Sequence, residues 1–229
     1  MNRARGWMSP VLIILISGFV LGCMSLYFEH SDAATDAQIR SVATTFTIHN
    51  SLQAIHNERQ ATIFKIVQII ERYNKRMSDS LKHTIADEIY TMSLKYPNLN
   101  PDFIVATITH ESAKTWDPKV TSNVGAMGLM QVMPATGAFL AVEEGVEWHS
   151  AESVLYDPIL NIRLGCRYLN ELVGLYEKDG GLAAYNGGPR RAEMWIAQNK
   201  DNRILWEETR HYIPAVLKLY DQFRSEGTM

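Results

Sequence analysis

From Trp7 to Phe28 the chain runs for 22 residues without an Asp, Glu, Lys, Arg or His, and Val11 to Ile16 is unbroken aliphatic. A run of that length crosses a bilayer as a helix, because only a helix satisfies its own backbone there, and the chain beyond it must fold on one side. Arg3 and Arg5 stand before it and Glu29, His30 and Asp32 after it. The positive-inside bias then holds the N-terminus in the cytoplasm and exports the remainder. Residues 1–30 are therefore read as an uncleaved membrane anchor, single-pass, with the rest of the chain outside.

The same residues admit two other fates. Cleavage to a free form lacks a suitable small-x-small site beyond the run, whose apolar character continues through Tyr27 and Phe28. Lipidation would use Val20-Leu21-Gly22-Cys23 as the cleavage box and make Cys23 the mature N-terminus. Met24 to Phe28 is a poor start for a mature lipoprotein, so attachment through Cys23 stands as the alternative.

Residues 33–79 hold neither Gly nor Pro. Ile63, Ile66, Ile70, Tyr73 and Met77 recur there at steps of three and four, after an earlier set at Ile39, Val42 and Phe46. Asn50, Gln53, Asn57 and Gln60 interrupt the stripe. Residues 31–80 are predicted as a helical stalk or hairpin, which either self-associates with a second chain or packs on the domain next to it.

Beyond it the punctuation changes, and every Gly after the anchor lies past residue 120. Asn100-Pro101-Asp102 is a helix start, with Asn100 as N-cap, Pro101 in the first turn and Asp102 favoured by the dipole. Asp157-Pro158 repeats the device before a helix over Ile159 to Tyr176 that ends near Gly180-Gly181. A last helix is expected over about Ile213 to Phe223. No alternating strand pattern stands out, so residues 81–229 are predicted as a mainly α-helical domain.

The 22 Lys and Arg against 25 Asp and Glu give a net charge of −3, which offers no basic excess for a phosphate backbone and excludes nucleic acid as main partner. Cys166 is the one Cys beyond the anchor, so no disulfide forms within the exported part. On a helical repeat it shares a face with Ile162, Leu169 and Val173, and reads as a small buried residue.

Ile104, Ile108 and Glu111 stand at i, i+4 and i+7 on the helix begun at Asn100, which places a carboxyl group on the buried stripe at a helix C-terminus. Burial and the negative helix end both disfavour its ionised form and raise its pKa. A carboxylic acid kept protonated in an apolar pocket is what a glycosidase uses to protonate a leaving oxygen. Three further segments pair amides or aromatics with breakers: Ser122 to Thr136, with Gly125, Gly128 and Gln131; Ala184-Tyr185-Asn186-Gly187-Gly188-Pro189; and Glu208-Thr209-Arg210-His211-Tyr212.

Glu111-Ser112, then Gly125-Ala126-x-Gly128-Leu129-Met130-Gln131-x-x-Pro134-x-Thr136, then Ala184-Tyr185-Asn186-x-Gly188, then Glu208-Thr209-x-x-Tyr212 resemble the family 1 lytic transglycosylases in motif and order. The resemblance covers about residues 81 to 225. It says nothing about the anchor or stalk, and implies a lysozyme-like domain that cleaves the peptidoglycan bond between N-acetylmuramic acid and N-acetylglucosamine without metal or other cofactor; the anchor reading then places that domain in the periplasm, tethered to the inner membrane. It implies Glu111 as the single catalytic acid/base, leaving a 1,6-anhydromuramoyl end, and Tyr185 as the hydrogen-bond partner of Glu111. Ser112, Met130, Gln131 and Asn186 would line the glycan cleft, with Glu208 either there or bracing the fold. Between Ser112 and Asp117-Pro118 this chain has Ala113-Lys114-Thr115-Trp116 where many relatives have two residues, so the resemblance implies nothing for that loop.

His110 adjoins Glu111 without a His-Glu-x-x-His pattern, which gives no support to a zinc protease. Trp116, Trp148, Trp195 and Trp206 are read as packing residues before sugar platforms. Arg190-Arg191 is read as a solvated pair before a carboxylate site. Two rival functions remain: a hydrolytic muramidase on the same scaffold, and a catalytically silent glycan-binding scaffold.

Overall fold

A computed structural model describes residues 10–226, and apart from two isolated antiparallel bridges the regular structure of these residues is helical. It divides into two compact units, Met1–Asn57 and Glu58–Met229. The first consists, among its described residues, of the helix α1 (Pro10–Tyr73) as far as Asn57. Thr44, Thr45 and Thr47 fit that helix by turning their hydroxyls back to the carbonyls of Arg40, Ser41 and Ala43. Val42, Phe46, Ile48, Leu52 and Ile55 are exposed along it. No helix is long and apolar enough to cross a membrane among the described residues. Most side chains of the 7–28 run, on which the anchor reading rests, lie outside the described residues.

The second unit takes up α1 at Glu58. Ile63, Ile66, Val67, Ile69 and Ile70 are all buried in its core. The stalk expected over 31–80 therefore stops short, because these apolar positions have a partner within the chain: the globular unit begins at Glu58 rather than at residue 81. Asn74 ends α1 by accepting the amides of Arg76 and Met77 on its side-chain oxygen. Ser78 then caps α2 (Asp79–Lys95) through the Leu81 amide. Buried Lys82 ties the two helices by pairing with Glu71 and Asp79.

The most buried helix is α3 (Pro101–Glu111), started by Asn100, whose side chain accepts the Phe103 amide as the sequence predicts. Phe103 to Thr109 are buried without a break. Its two polar members cost nothing in satisfaction, since Thr107 and Thr109 donate to the carbonyls of Phe103 and Val105. α3 packs between α2 and α8 (Glu207–Ser225), while α6 (Pro158–Gly187) touches both of those and gathers α4 (Pro134–Glu144), the short α5 (Ala151–Leu155) and α7 (Pro189–Ala197). Asp157 caps α6 at the amides of Ile159 and Leu160. The helix expected to stop near Gly180 breaks at Glu177, which has a φ of 61° and a ψ of −176°, and resumes to Gly187. The last helix begins at Glu207, not near Ile213, and this earlier start carries Thr209 and Tyr212 into the interior.

Candidate active site

Glu111 closes α3 and is partly buried. Desolvation pushes its carboxyl up to about 7, the nearby negative charge of Glu208 adds in the same direction, and a hydrogen bond from Tyr212 opposes both. The Tyr212 hydroxyl donates to Glu111 Oε1 at 2.6 Å. Its ring meets His110 edge-on, with centroids 4.8 Å apart. Burial, and after it the neighbouring Lys114 charge, lower the His110 pKa against a smaller opposite pull from Glu208.

The tyrosine partner of Glu111 is thus Tyr212 rather than Tyr185, the residue expected from the resemblance. The reason lies in the elements: α8 packs along α3 and delivers Tyr212. Tyr185, near the end of α6, donates instead to the Met130 carbonyl at 2.7 Å. Tyr185 is still near enough for the Glu111 charge to help burial hold its phenol well above the usual range.

The segment from Asp117 to Met133 forms a compact loop. Asp117 makes a turn by accepting the Lys119 amide. Met127 then exchanges two backbone bonds with Val132 across a tight corner containing Gly128 and Gln131. Gly128 has a φ of +78°, and a Cβ there would stand 2.2 Å from the Leu155 carbonyl oxygen, so no other residue fits. Asn161 on α6 holds this corner, donating to the Met127 and Leu155 carbonyls and accepting the Met130 amide. Sequence reasoning missed it. The available signal is a polar residue beside Ile162 on the buried side of an amphipathic helix.

Two residues expected to line the cleft do not present side chains to solvent. Met130 is 0% exposed, packed where Gly165 leaves room for it and 3.8 Å from Cys166 Sγ. Ser112 is equally buried, and its hydroxyl accepts the Trp116 amide. Trp116 is itself sealed in the core with its indole N–H on Thr109, while Asn74 donates to its carbonyl. These bonds hold the loop after Glu111, where Ala113, Lys114 and Trp116 all have positive φ. Gln131 has a φ of 48° and spends its amide N–H₂ on the Val120 and Gly128 carbonyls.

Asn186 and Glu208 are brought together as expected. Asn186 donates to Glu208 Oε1 at 3.3 Å and accepts the Thr209 hydroxyl at 2.7 Å. Glu208 is exposed. One partly buried acid is therefore held by a tyrosine, with a second, solvated carboxylate nearby. No group of three or more His, Cys, Asp or Glu is placed to hold a metal ion among the described residues.

A family model for the transglycosylase SLT domain matches residues 89–205, just over half of the chain. The chain belongs to this family. It is 34% identical over 147 residues to the soluble lytic murein transglycosylase of Escherichia coli, covering 58% of this chain and 21% of that one. A solved inactive glutamate-to-glutamine mutant of lytic transglycosylase Slt from Pseudomonas aeruginosa superposes with a TM-score of 0.54 at 28% identity, over 61% of this chain and 24% of that one. The structure of a 70-kDa soluble lytic transglycosylase with bulgecin A gives a TM-score of 0.57 at 28% identity, over 66% and 26% of the two chains. The SLT domain is thus mainly helical with lysozyme-like transglycosylase neighbours, and the chain spans about a fifth to a quarter of the length of these relatives.

Proposed function

We propose that this chain is a peptidoglycan lytic transglycosylase in which Glu111 is the single acid/base. The observation that carries the reading is the partly buried Glu111 carboxyl, pushed up to about 7 and fixed on one oxygen by Tyr212. Held protonated, Glu111 gives its proton to the glycosidic oxygen between N-acetylmuramic acid and N-acetylglucosamine, and the bond from that oxygen to the muramoyl C1 breaks. The resulting carboxylate then takes the proton of the muramoyl 6-hydroxyl as that oxygen bonds to C1, which closes the 1,6-anhydro ring and regenerates the acid. The nucleophile belongs to the sugar, so neither a second enzymic carboxylate nor a positioned water is needed. Tyr212 orients the carboxyl. Asn186, Glu208 and Gln131 offer polar groups to the glycan, whereas Ser112, Met130 and Tyr185 support the walls from behind.

The uncharged run from Trp7 to Phe28 supports inner-membrane anchoring with the SLT domain in the periplasm, and Cys23 supplies the lipoprotein alternative. Labelling with a lipid precursor, compared with Cys23→Ser, separates the two. Exposed Ile48, Leu52 and Ile55, at steps of four and three, support self-association through α1.

Mass spectrometry of fragments released from purified sacculi tests the reaction. Anhydro ends are expected; reducing ends alone would assign a muramidase, and no release would favour a silent scaffold. Glu111→Gln keeps the Tyr212 hydrogen bond but carries no transferable acid proton, and turnover is expected to fall by about a hundred- to ten-thousand-fold.

A further inference from the structure

Four of the five tryptophans lie among the residues whose burial is described, and they separate cleanly. Trp116 and Trp195 are buried, Trp148 is partly buried, and Trp206 is 59% exposed. Leaving an indole largely in water forgoes the most favourable burial any side chain has, so its surroundings bear on why it stands there. The Arg191 guanidinium lies over the Trp206 ring with its carbon 3.7 Å from the ring centroid. Arg191 is itself pinned, donating through Nη1 to the Ile204 carbonyl at 2.5 Å. One face of the indole is therefore stacked on a fixed cation, and much of the remaining ring is open.

The position of this ring is as informative as its exposure. Trp206 is the cap residue of α8, immediately before Glu207 and Glu208. Glu208 accepts from Asn186, and Tyr212 on the same helix donates to Glu111. Six residues at 1.5 Å each place the start of α8 only about 9 Å along the axis from Tyr212. Met194, one turn beyond Arg191 on α7, is 47% exposed. The edge of the site on this side thus offers an indole, an exposed thioether, the Asn186 amide and a carboxylate.

We propose that Trp206, clamped by Arg191, is a stacking platform for an N-acetylhexosamine ring of the glycan strand beside Glu111. A pyranose chair presents a face of C–H groups, apolar and slightly positive, that complements the electron-rich face of an indole. Its hydroxyl and acetamido groups point outward from that face to meet amides and carboxylates such as Asn186 and Glu208. Arg191 adds little direct affinity. By fixing the ring in advance it removes the ordering cost that a free tryptophan would meet on binding. A pair serving only to brace the 199–206 loop would not need an indole, since the hydrogen bond from Arg191 to Ile204 already anchors that loop.

The platform rests on the proposed glycan substrate, and binding is measured apart from turnover so that the two readings fail separately. In the Glu111→Gln background, full-length protein is titrated with a chitin oligosaccharide while tryptophan fluorescence is followed. A spectral shift is expected that disappears in Trp206→Phe. By titration calorimetry on the same proteins, Trp206→Ala is expected to weaken binding about tenfold, the scale of one aromatic contact, while Trp206→Phe retains most of it. In the otherwise unaltered enzyme acting on sacculi, Trp206→Ala is expected to raise KM by a similar factor with kcat little changed. Arg191→Lys keeps the charge but not the planar stack and should fall between the two. Equal affinity of Trp206→Ala and the parent would overturn the platform. Binding that depends on Trp206 in a protein releasing no anhydro ends would leave the platform standing and overturn the reaction instead.

Discussion

The hydrogen bond from Tyr212 to Glu111 acts on the acid in a direction that can be measured. A donor to the carboxylate favours its ionised form, so Tyr212 holds down a pKa that burial and Glu208 have raised. Cleavage requires the protonated acid and is expected to decline as pH rises through about 7. Removing the hydroxyl in Tyr212→Phe takes away the opposing influence, and the alkaline limb of the rate profile should move upward by about one pH unit. Tyr185→Phe, whose hydroxyl is committed to the Met130 carbonyl, should leave that limb almost in place. A pH-rate series on both variants checks this, and a downward move in Tyr212→Phe would contradict it. The place of Glu111 at the end of the buried helix was legible in the sequence because its i, i+4, i+7 relation to Ile104 and Ile108 is a local fact of one helix. The identity of its tyrosine was not. Two motif tyrosines lie 27 positions apart in sequence, and only the packing of α8 on α3 decides which one arrives.

Among the elements, the loop from Asp117 to Met133 depends most on a single outside contact. Asn161 satisfies two carbonyls and one amide of this loop and of α5 from a fully buried position on α6. Asn161→Ala would strand all three, and a loss of about 3 kcal/mol is expected in urea unfolding. Activity should fall further than stability alone explains, because Gln131 and the Tyr185 acceptor sit on the released corner. The helix starts at Asn100 and Asp157 were readable because a cap and a following proline are consecutive residues. The start of α8 was not, since Glu207, Glu208, Arg210 and His211 turn outward and only Thr209 is buried before Tyr212, which leaves no apolar period to detect. The burial of Ser112 and Met130 escapes the sequence for a related reason. Met130 is buried because Gly165, 35 positions on, leaves room for it, and Ser112 because the following loop turns back and sets the Trp116 amide on its hydroxyl; no helical period shows either.

For the molecule as a whole, the boundary at Glu58 predicts which fragments fold. A chain beginning at residue 81 loses Ile63, Ile66, Ile69 and Ile70, each worth about 1.5–3 kcal/mol of burial, against a typical total stability of about 5–15 kcal/mol. It is expected to be insoluble or to melt without cooperativity, whereas a chain beginning at Glu58 should show one sharp thermal transition; circular dichroism distinguishes them, and a stable fragment from residue 81 would refute the boundary. Sequence periodicity identified these isoleucines as one face of a helix, but periodicity does not say what the face meets. The same core also settles the behaviour of its one sulfhydryl. Cys166 is 0% exposed beneath Met130, and burial holds its proton far above the normal thiol range. Exchange with a disulfide requires an accessible thiolate, and Cys166 supplies neither access nor charge. The folded globular unit can therefore work among oxidants and disulfide-forming catalysts without being captured in a mixed disulfide, and its strength does not vary with the potential around it.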